Sequence, residues 1–196
     1  EYYAKAITIF ERLVNAESAA PPYYVRGFAV ELAQTFSKFG NALEHLGKGE
    51  EAVRYYSKCI EIQEQLVNER PSLADPAYQL VYDYSKLGEL LRDLGRNDEG
   101  IDKHNKATVI LEQLTKDHPE VAKYESKLAN QYSAIANTLY RLGQTEEAIE
   151  QYNKCIEIGS KLVKEYPEVG KYAAGLASQY SNIAHALNRL GQTEEA

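Results

Sequence analysis

The sequence has no methionine or tryptophan, only two cysteines and only six prolines in 196 residues. No stretch approaches the roughly 18 consecutive apolar residues that a membrane-spanning helix needs, and no charged and then apolar leader opens the chain. We therefore expect a soluble protein with no membrane partner. Because the chain lacks an initiating methionine and starts and stops within helical patterns, we expect it to be a fragment of a longer protein.

An excess of positive charge is also missing. The chain has 22 lysines and arginines against 29 acidic residues, a formal net charge of −7, and the two signs are well mixed. A nucleic-acid backbone or an anionic membrane surface attracts proteins of the opposite charge. The composition therefore argues against nucleic acid as a partner.

What the sequence does contain is a repeat. A Leu-Gly pair begins at Leu46, Leu94, Leu142 and Leu190, and the differences 94−46, 142−94 and 190−142 are each 48. A fixed period of twenty to fifty residues is typical of solenoids, in which each unit buries its apolar face against its neighbours. Cys59 and Cys155 lie 155−59 = 96 residues apart, two whole repeats, so they should fill equivalent core sites too distant for a disulfide. A reducing, cytoplasmic compartment fits this cysteine usage.

Apolar residues at intervals of three and four predict eight amphipathic helices. The first begins at Tyr2 and matches the second helix of a later repeat, while Ala19 to Tyr24 form a longer connection that should not continue a helix. The other helices are predicted near Val25–Leu46, Glu50–Arg70, Asp75–Leu94, Asp98–His118, Val121–Leu142, Glu146–Tyr166 and Gly170–Leu190.

Two kinds of junction separate these helices. One carries a glycine that can adopt the left-handed conformation closing a helix, followed by a residue such as Asn97 or Thr145 that should cap the next one. The other carries a proline that ends or closely follows a helix. The glycines are Gly47, Gly95, Gly143 and Gly191, and the prolines are Pro71, Pro119 and Pro167.

The order of large and small residues resembles the tetratricopeptide repeat. One copy of its pattern consists of Tyr132, Ile135, Ala136, Leu139, Ala148, Tyr152 and Cys155. Related copies cover essentially the whole chain, although 48 residues exceed the 34 that are usual for the family. The resemblance implies an all-α fold, a right-handed α-α superhelix (a TPR-like solenoid) of antiparallel helical hairpins. It divides residues 1–196, a single array, into a trailing helix at 1–18, repeats at 25–71, 75–119 and 121–167, and a partial repeat at 170–196.

Small and aromatic residues have predicted places in this packing. Small residues on paired helices should face each other, as Ala136 and Ala148 do in the pattern, so that two backbones approach closely. Large tyrosines should fill the core around them. The tyrosines assigned to core sites are Tyr56, Tyr84, Tyr132, Tyr152 and Tyr180.

A polar stripe accompanies the apolar face on the first helix of each repeat. In tetratricopeptide repeats this stripe lines the concave surface that receives extended peptides, so the resemblance implies a peptide-binding face. Short serine and asparagine side chains suit hydrogen bonds with a peptide backbone, and Arg141 and Arg189 are each expected to pair a carboxylate. The candidate residues are Gln34, Asn41, Tyr82, Asn130, Ser133, Asn137, Tyr140, Arg141, His185, Asn188 and Arg189.

The stripe has a plainer interpretation, which stays open here: a hydrated helix face whose small residues relieve crowding. The family's clamp for a C-terminal carboxylate is not expected, because Gln34, Ser37, Ser85 and Ser133 stand where lysine and arginine would be needed. Catalysis, a cofactor and a metal are not expected either. The four histidines are scattered, the paired acids serve helix starts, and no glycine-rich phosphate loop occurs.

The sequence therefore predicts a protein–protein interaction module that binds an extended peptide or partner helix, as a docking or scaffold part of a larger protein. Two alternatives remain. One is a structural spacer or self-assembly module, whose uncapped ends would associate end to end. The other is the sensor domain of a larger signalling protein or effector enzyme.

Overall fold

The computed structural model describes residues 1–15, 22–69 and 74–191, apart from the side chains of residues 22–24. Within these ranges the chain forms eight helices and no strand, so the all-α prediction is confirmed. The helices are α1 (Tyr2–Asn15), α2 (Pro22–His45), α3 (Gly49–Glu69), α4 (Ala74–Asp93), α5 (Asn97–Asp117), α6 (Ala122–Leu142), α7 (Thr145–Glu165) and α8 (Gly170–Arg189).

The helices form two compact units, Glu1–Gly95 with α1 to α4 and Arg96–Ala196 with α5 to α8. Inside each unit, every helix packs against the helix that follows it in the chain. This arrangement follows from the amphipathic patterns, because a helix with one apolar face must bury that face against a neighbour. Repeated helical hairpins are the result.

Both units bury a core at the predicted helix faces. In the first unit, Ile7, Leu32 and Phe36 pack with Cys59, which is a free, fully buried thiol. In the second unit, Ala136, Ala148, Tyr152 and Ala186 form one cluster, which confirms the predicted meeting of small residues on α6 and α7. The alanines allow the close approach of the helices, and the tyrosine ring fills the remaining space.

The glycine junctions follow the prediction, but the caps do not. Gly47, Gly95, Gly143 and Gly191 all have positive φ angles, between 71° and 85°. The cap predictions for Asn97 and Thr145 are wrong, since both residues are the first of their helices and the N-cap positions before them have no side-chain cap. The Thr145 hydroxyl instead donates to the Gly143 carbonyl at 3.4 Å.

The proline junctions agree with the prediction where they are described. Pro119 and Pro167 each lie two residues beyond the end of a helix, whereas Pro71 falls outside the described residues. The expectation that no helix includes Pro22 is wrong, because α2 begins there. Proline fits the first helical position since it needs no intrahelical N–H partner.

Several contacts recur with the period of 48 residues. Tyr84 donates a hydrogen bond to Glu64, and Tyr132 donates to Glu112 at 2.7 Å. Both pairs join the first helix of a repeat to the helix before it. The core prediction for Tyr180 is wrong, because this ring is 52% exposed. The residue twenty positions before Tyr180 is Ser160, whose short side chain offers no equivalent acceptor.

The packing of Ala136 leads to a stability prediction. Ala136 is fully buried against Ala148 and Tyr152, so Ala136→Leu should overpack the contact of α6 with α7 and destabilise the fold by about 1–3 kcal/mol. Urea unfolding followed by circular dichroism measures the change. Ala177→Leu, at an exposed position on α8, is the matched control and should leave the unfolding midpoint nearly unchanged. Equal midpoints for both variants would contradict the described packing.

Candidate functional site

The predicted stripe of the second unit lies on α6 and α8, and the structure divides it into two groups. The side chains of Asn130, Arg141, His185 and Asn188 are exposed and form no hydrogen bond or ion pair with another described residue. The remaining members bond to neighbouring helices. These are Ser133, Asn137, Tyr140 and Arg189.

The serine of the stripe links neighbouring first helices. Ser133 on α6 donates to Gln179 Oε1 on α8 at 3.1 Å, and in the first unit Ser37 on α2 donates to Asp83 Oδ1 on α4 at 2.6 Å. The two bonds have the same separation along the chain, 179−133 = 83−37 = 46 residues. These hydroxyls therefore fix the spacing of the stripe.

Asn137 is held by the second helix of its own repeat. The Tyr152 hydroxyl donates to Asn137 Oδ1 at 2.6 Å. Burial raises the pKa of Tyr152 to about 12, so the hydroxyl keeps its proton at neutral pH and remains a donor. The Asn137 amide nitrogen is the part of this side chain that stays available to a ligand.

Tyr140 and Arg189 form one surface feature of α6 and α8. The Arg189 guanidinium lies 5.0 Å from the Tyr140 ring centroid, and its Nη1 donates to the Tyr140 carbonyl at 2.8 Å. The guanidinium thus stacks on an aromatic face and is a second donor to a carbonyl in the last turn of α6, which also accepts from the Gly143 N–H at 3.1 Å. Arg141, the other predicted cation, stays exposed beside this stack.

The first unit holds three predicted stripe residues, on α2 and α4. Gln34 is exposed, Asn41 is half-buried, and Tyr82 is 41% exposed. The stripe is therefore less continuous in this unit.

A buried acid beneath this stripe was not singled out by the sequence pattern. Asp83 is completely buried on α4, and its carboxylate accepts hydrogen bonds from Ser37 at 2.6 Å, Gln63 at 2.6 Å and Gln79 at 3.4 Å. Burial raises the pKa of Asp83 above its ordinary value, against the opposing effect of these donors. One signal was present in the sequence, because the equivalent positions 83+48 and 83+96 hold Gln131 and Gln179, both polar.

Two cavities lie at equivalent places in the two units. One, of about 340 Å³, lies between α2, α3 and α4, and the other, of about 80 Å³, lies between α6, α7 and α8. Their lining residues correspond by a shift of 96 residues, which is two repeats. Ala129, Asn130 and Leu162 line the smaller cavity where Ala33, Gln34 and Leu66 line the larger one. The larger cavity is lined by Arg26, Val30, Ala33, Gln34, Gln63, Leu66, Asp75, Pro76 and Gln79.

The other reactive side chains are buried or dispersed. Burial raises the pKa of the Cys155 thiol to about 11, so the thiol stays protonated at neutral pH. His104 is buried and its Nδ1 lies 2.8 Å from Gln131 Oε1. Within the described ranges, no group of three or more histidine, cysteine and acidic side chains is arranged to hold a metal ion. None of the described helices is long and apolar enough to cross a membrane.

The buried Asp83 leads to a pH-dependent stability prediction. The unfolded chain releases this proton near pH 4, at the ordinary aspartate pKa, but the folded chain releases it at higher pH. The stabilising contribution of the neutral form is therefore complete below about pH 4 and is lost as the pH rises through the folded-state pKa. Asp83→Asn, which removes the charge and keeps the shape, should thus have a higher urea midpoint than the parent at neutral pH.

The advantage of Asp83→Asn should shrink as the pH is lowered towards 4, and Asp102→Asn, at an exposed aspartate, should show no such trend. Urea titrations at several pH values measure this. A variant that is less stable than the parent at neutral pH, with a gap that does not depend on pH, would contradict the account of Asp83.

Comparisons with known proteins agree with this architecture. Two family models, both described as tetratricopeptide repeat, match residues 32–72 and 81–161. A comparison with curated proteins finds no match.

Solved structures show the same fold at low sequence identity. The crystal structure of BtubC (BKLC) from P. vanneervenii is 21% identical with a TM-score of 0.60, over 96% of this chain and 67% of that one. The TPR-like repeats of a putative kinesin light chain from Podosopora anserina are 21% identical with a TM-score of 0.50, over 98% and 81%. On the two family-model matches and on its repeated helical hairpins, the chain belongs to the tetratricopeptide repeat family.

Proposed function

We propose that this chain is a docking module that binds an extended peptide segment of a protein partner along the polar stripes of its first helices. Tetratricopeptide repeats generally mediate protein–protein interactions, and their fold is typically non-catalytic. The observation that carries the proposal is the second unit's stripe, where exposed polar side chains with no partner among the described residues lie on the same helices as residues bonded to neighbouring helices.

The bonded residues supply rigidity. Ser133, Asn137 and Arg189 each bond to another helix, so the stripe is fixed before a ligand arrives and little conformational entropy is lost on binding. The exposed residues supply contacts. Asn130 and Asn188 offer amide donors and acceptors to a peptide backbone, which displays the same groups along an extended segment.

Arg141 gives the proposed site a positive charge. Its exposed guanidinium forms no ion pair with the described residues, so it is free to bind a carboxylate of the peptide in a bidentate manner. Tyr140 adds an aromatic surface beside it, already stacked with Arg189. We therefore expect the preferred peptide to carry an acidic residue next to an apolar one.

The proposed repeat division of the chain rests on recurring contacts. In the second unit, rings at the junctions before α6 and α8 meet in the same way, His118 with Tyr124 and Tyr166 with Tyr172, both at 6.1 Å. The pairs are 166−118 = 48 residues apart. This register supports a repeat at 121–167 and the start of another at residue 170, as proposed from the sequence.

Selection from a synthetic library of random eight-residue peptides tests the docking proposal. The tightest peptide would be titrated by fluorescence anisotropy against the parent and against the double variant Arg141→Ala with Asn188→Ala. Losing a charge-assisted hydrogen bond and an amide contact should weaken binding by about 10- to 100-fold.

The matched control is Lys164→Ala with Asn153→Ala, which removes a cation and an amide from exposed positions on α7. This control should bind the peptide like the parent. Docking on the stripe would be ruled out if the stripe variant kept full affinity with intact helicity, or if the α7 control lost as much affinity as the stripe variant.

A further inference from the structure

The larger cavity, between α2, α3 and α4, has a polar floor of unusual chemistry. Gln63 and Gln79 line it, and the amide nitrogen of each donates to Asp83 Oδ2. A carboxylate only accepts hydrogen bonds, so both amides must turn their nitrogen towards Asp83 and their carbonyl oxygen away. Gln63 is 94% buried, and its carbonyl oxygen receives no hydrogen bond from the described residues.

The rim of this cavity adds negative charge. Asp75 lines the cavity and is exposed. The one cation in the lining, Arg26, is already engaged, because its guanidinium donates to the Leu66 carbonyl at 3.3 Å and pairs with Glu69 at 3.4 Å. The cavity therefore combines carbonyl and carboxylate acceptors with a buried acid directly behind its floor.

The walls and the volume suit an aliphatic side chain. Val30, Ala33, Leu66 and Pro76 provide apolar surface, and about 340 Å³ lies within the usual range of small-ligand pockets, roughly 300–1,000 Å³. A lysine side chain has the matching form, an apolar stem with three donors and no acceptor at its tip. Two glutamine carbonyl oxygens and the Asp75 carboxylate are three acceptors for those three donors.

The equivalent cavity of the second unit keeps apolar walls, with Ala129 and Leu162, but lacks the polar acceptors. Lys171 stands in place of Asp75, Gly159 in place of Gln63, and Gly175 in place of Gln79, by the shift of 96 residues. Gln179 replaces the buried acid Asp83. This cavity is also smaller, about 80 Å³, and its rim is cationic. The polar floor with a buried acid behind it is therefore not required by the repeat fold.

From this contrast we propose that the cavity lined by Gln63, Gln79 and Asp75 is a subsite for a primary ammonium group, the lysine side chain of the bound peptide. The inference rests on the proposed peptide docking, because Gln34 belongs to both the stripe and the cavity lining. The first unit is thereby expected to select a lysine in its ligand.

The test uses a probe that needs no peptide. N-acetyl-lysine-N-methylamide would be titrated into the ¹⁵N-labelled chain, with N-acetyl-norleucine-N-methylamide as its neutral counterpart of similar shape. Saturable shifts of the Gln63 and Gln79 side-chain amide signals with the lysine probe alone are expected. The side-chain amide signal of Asn153, at an exposed position on α7 outside both the cavity and the stripe, should stay in place and serves as the internal control.

Two substitutions test whether the carboxylates of Asp83 and Asp75 contribute to binding of the lysine probe. Asp83→Asn and Asp75→Asn should each lower the affinity for the lysine probe by about tenfold, since each removes a carboxylate close to the bound ammonium. Asp102→Asn, at an exposed aspartate outside the cavity, should bind the probe like the parent. Because Asp83→Asn is expected to raise stability at neutral pH, a loss of binding in that variant is not explained by unfolding.

Equal shifts with the norleucine probe, or no shift of Gln63 and Gln79 with either probe, would overturn the ammonium subsite. So would unchanged lysine binding in both aspartate variants. Failure here is distinguishable from failure of the docking proposal, which is read from the affinity of the library-selected peptide for the Arg141→Ala with Asn188→Ala variant. The lysine probe reports on the cavity alone.

Discussion

The spacing of neighbouring first helices is the constraint on which the proposed function depends. In each unit one serine hydroxyl bridges two such helices, Ser37 to Asp83 and Ser133 to Gln179. Both serines are partly buried, and each hydroxyl finds its acceptor on the neighbouring first helix. The pairing therefore specifies a register between the helices, and the side chains that face solvent on either side inherit that register.

The repeat supplies a built-in comparison, because positions 48 or 96 residues apart share one structural role. The serines at 37 and 133, one residue type at equivalent positions, serve the fold, because each bridges two neighbouring first helices. A position that changes its chemistry carries what distinguishes one copy from another. The change from Asp75 to Lys171 and from Asp83 to Gln179 is of this second kind, and it is the contrast on which the proposed ammonium subsite rests.

Much of the fold was predictable from the sequence because it depends on local patterns. Helix periodicity and the glycines at the turns identified all eight helices of the described residues, and small residues identified the contact of Ala136 with Ala148. The cap predictions were wrong, because choosing between the N-cap and the first helical residue depends on backbone angles that a single residue type does not fix. The core prediction for Tyr180 was wrong because the exposure of this ring depends on the neighbours packed around it and not on its own helix.

The candidate site was predictable only in outline. The pattern located the stripe, but it did not separate Ser133 and Asn137, which bond to other helices, from Asn130 and Asn188, which do not. That division depends on distances between helices far apart in sequence. The burial of Asp83 and the cavity above it have the same origin, since Ser37, Gln63 and Gln79 reach one carboxylate from three different helices.

Mapping a bound peptide by NMR tests the central claim, that ligands dock on the first helices, most directly. The library-selected peptide would be titrated into the ¹⁵N-labelled chain and the perturbed amides assigned to helices. Docking on the stripe predicts the largest perturbations on α6 and α8, at residues such as Asn130, Arg141 and Asn188, and little change at exposed residues of α7 such as Asn153. Perturbations concentrated on α5 and α7, with the α6 and α8 signals unmoved, would contradict the account.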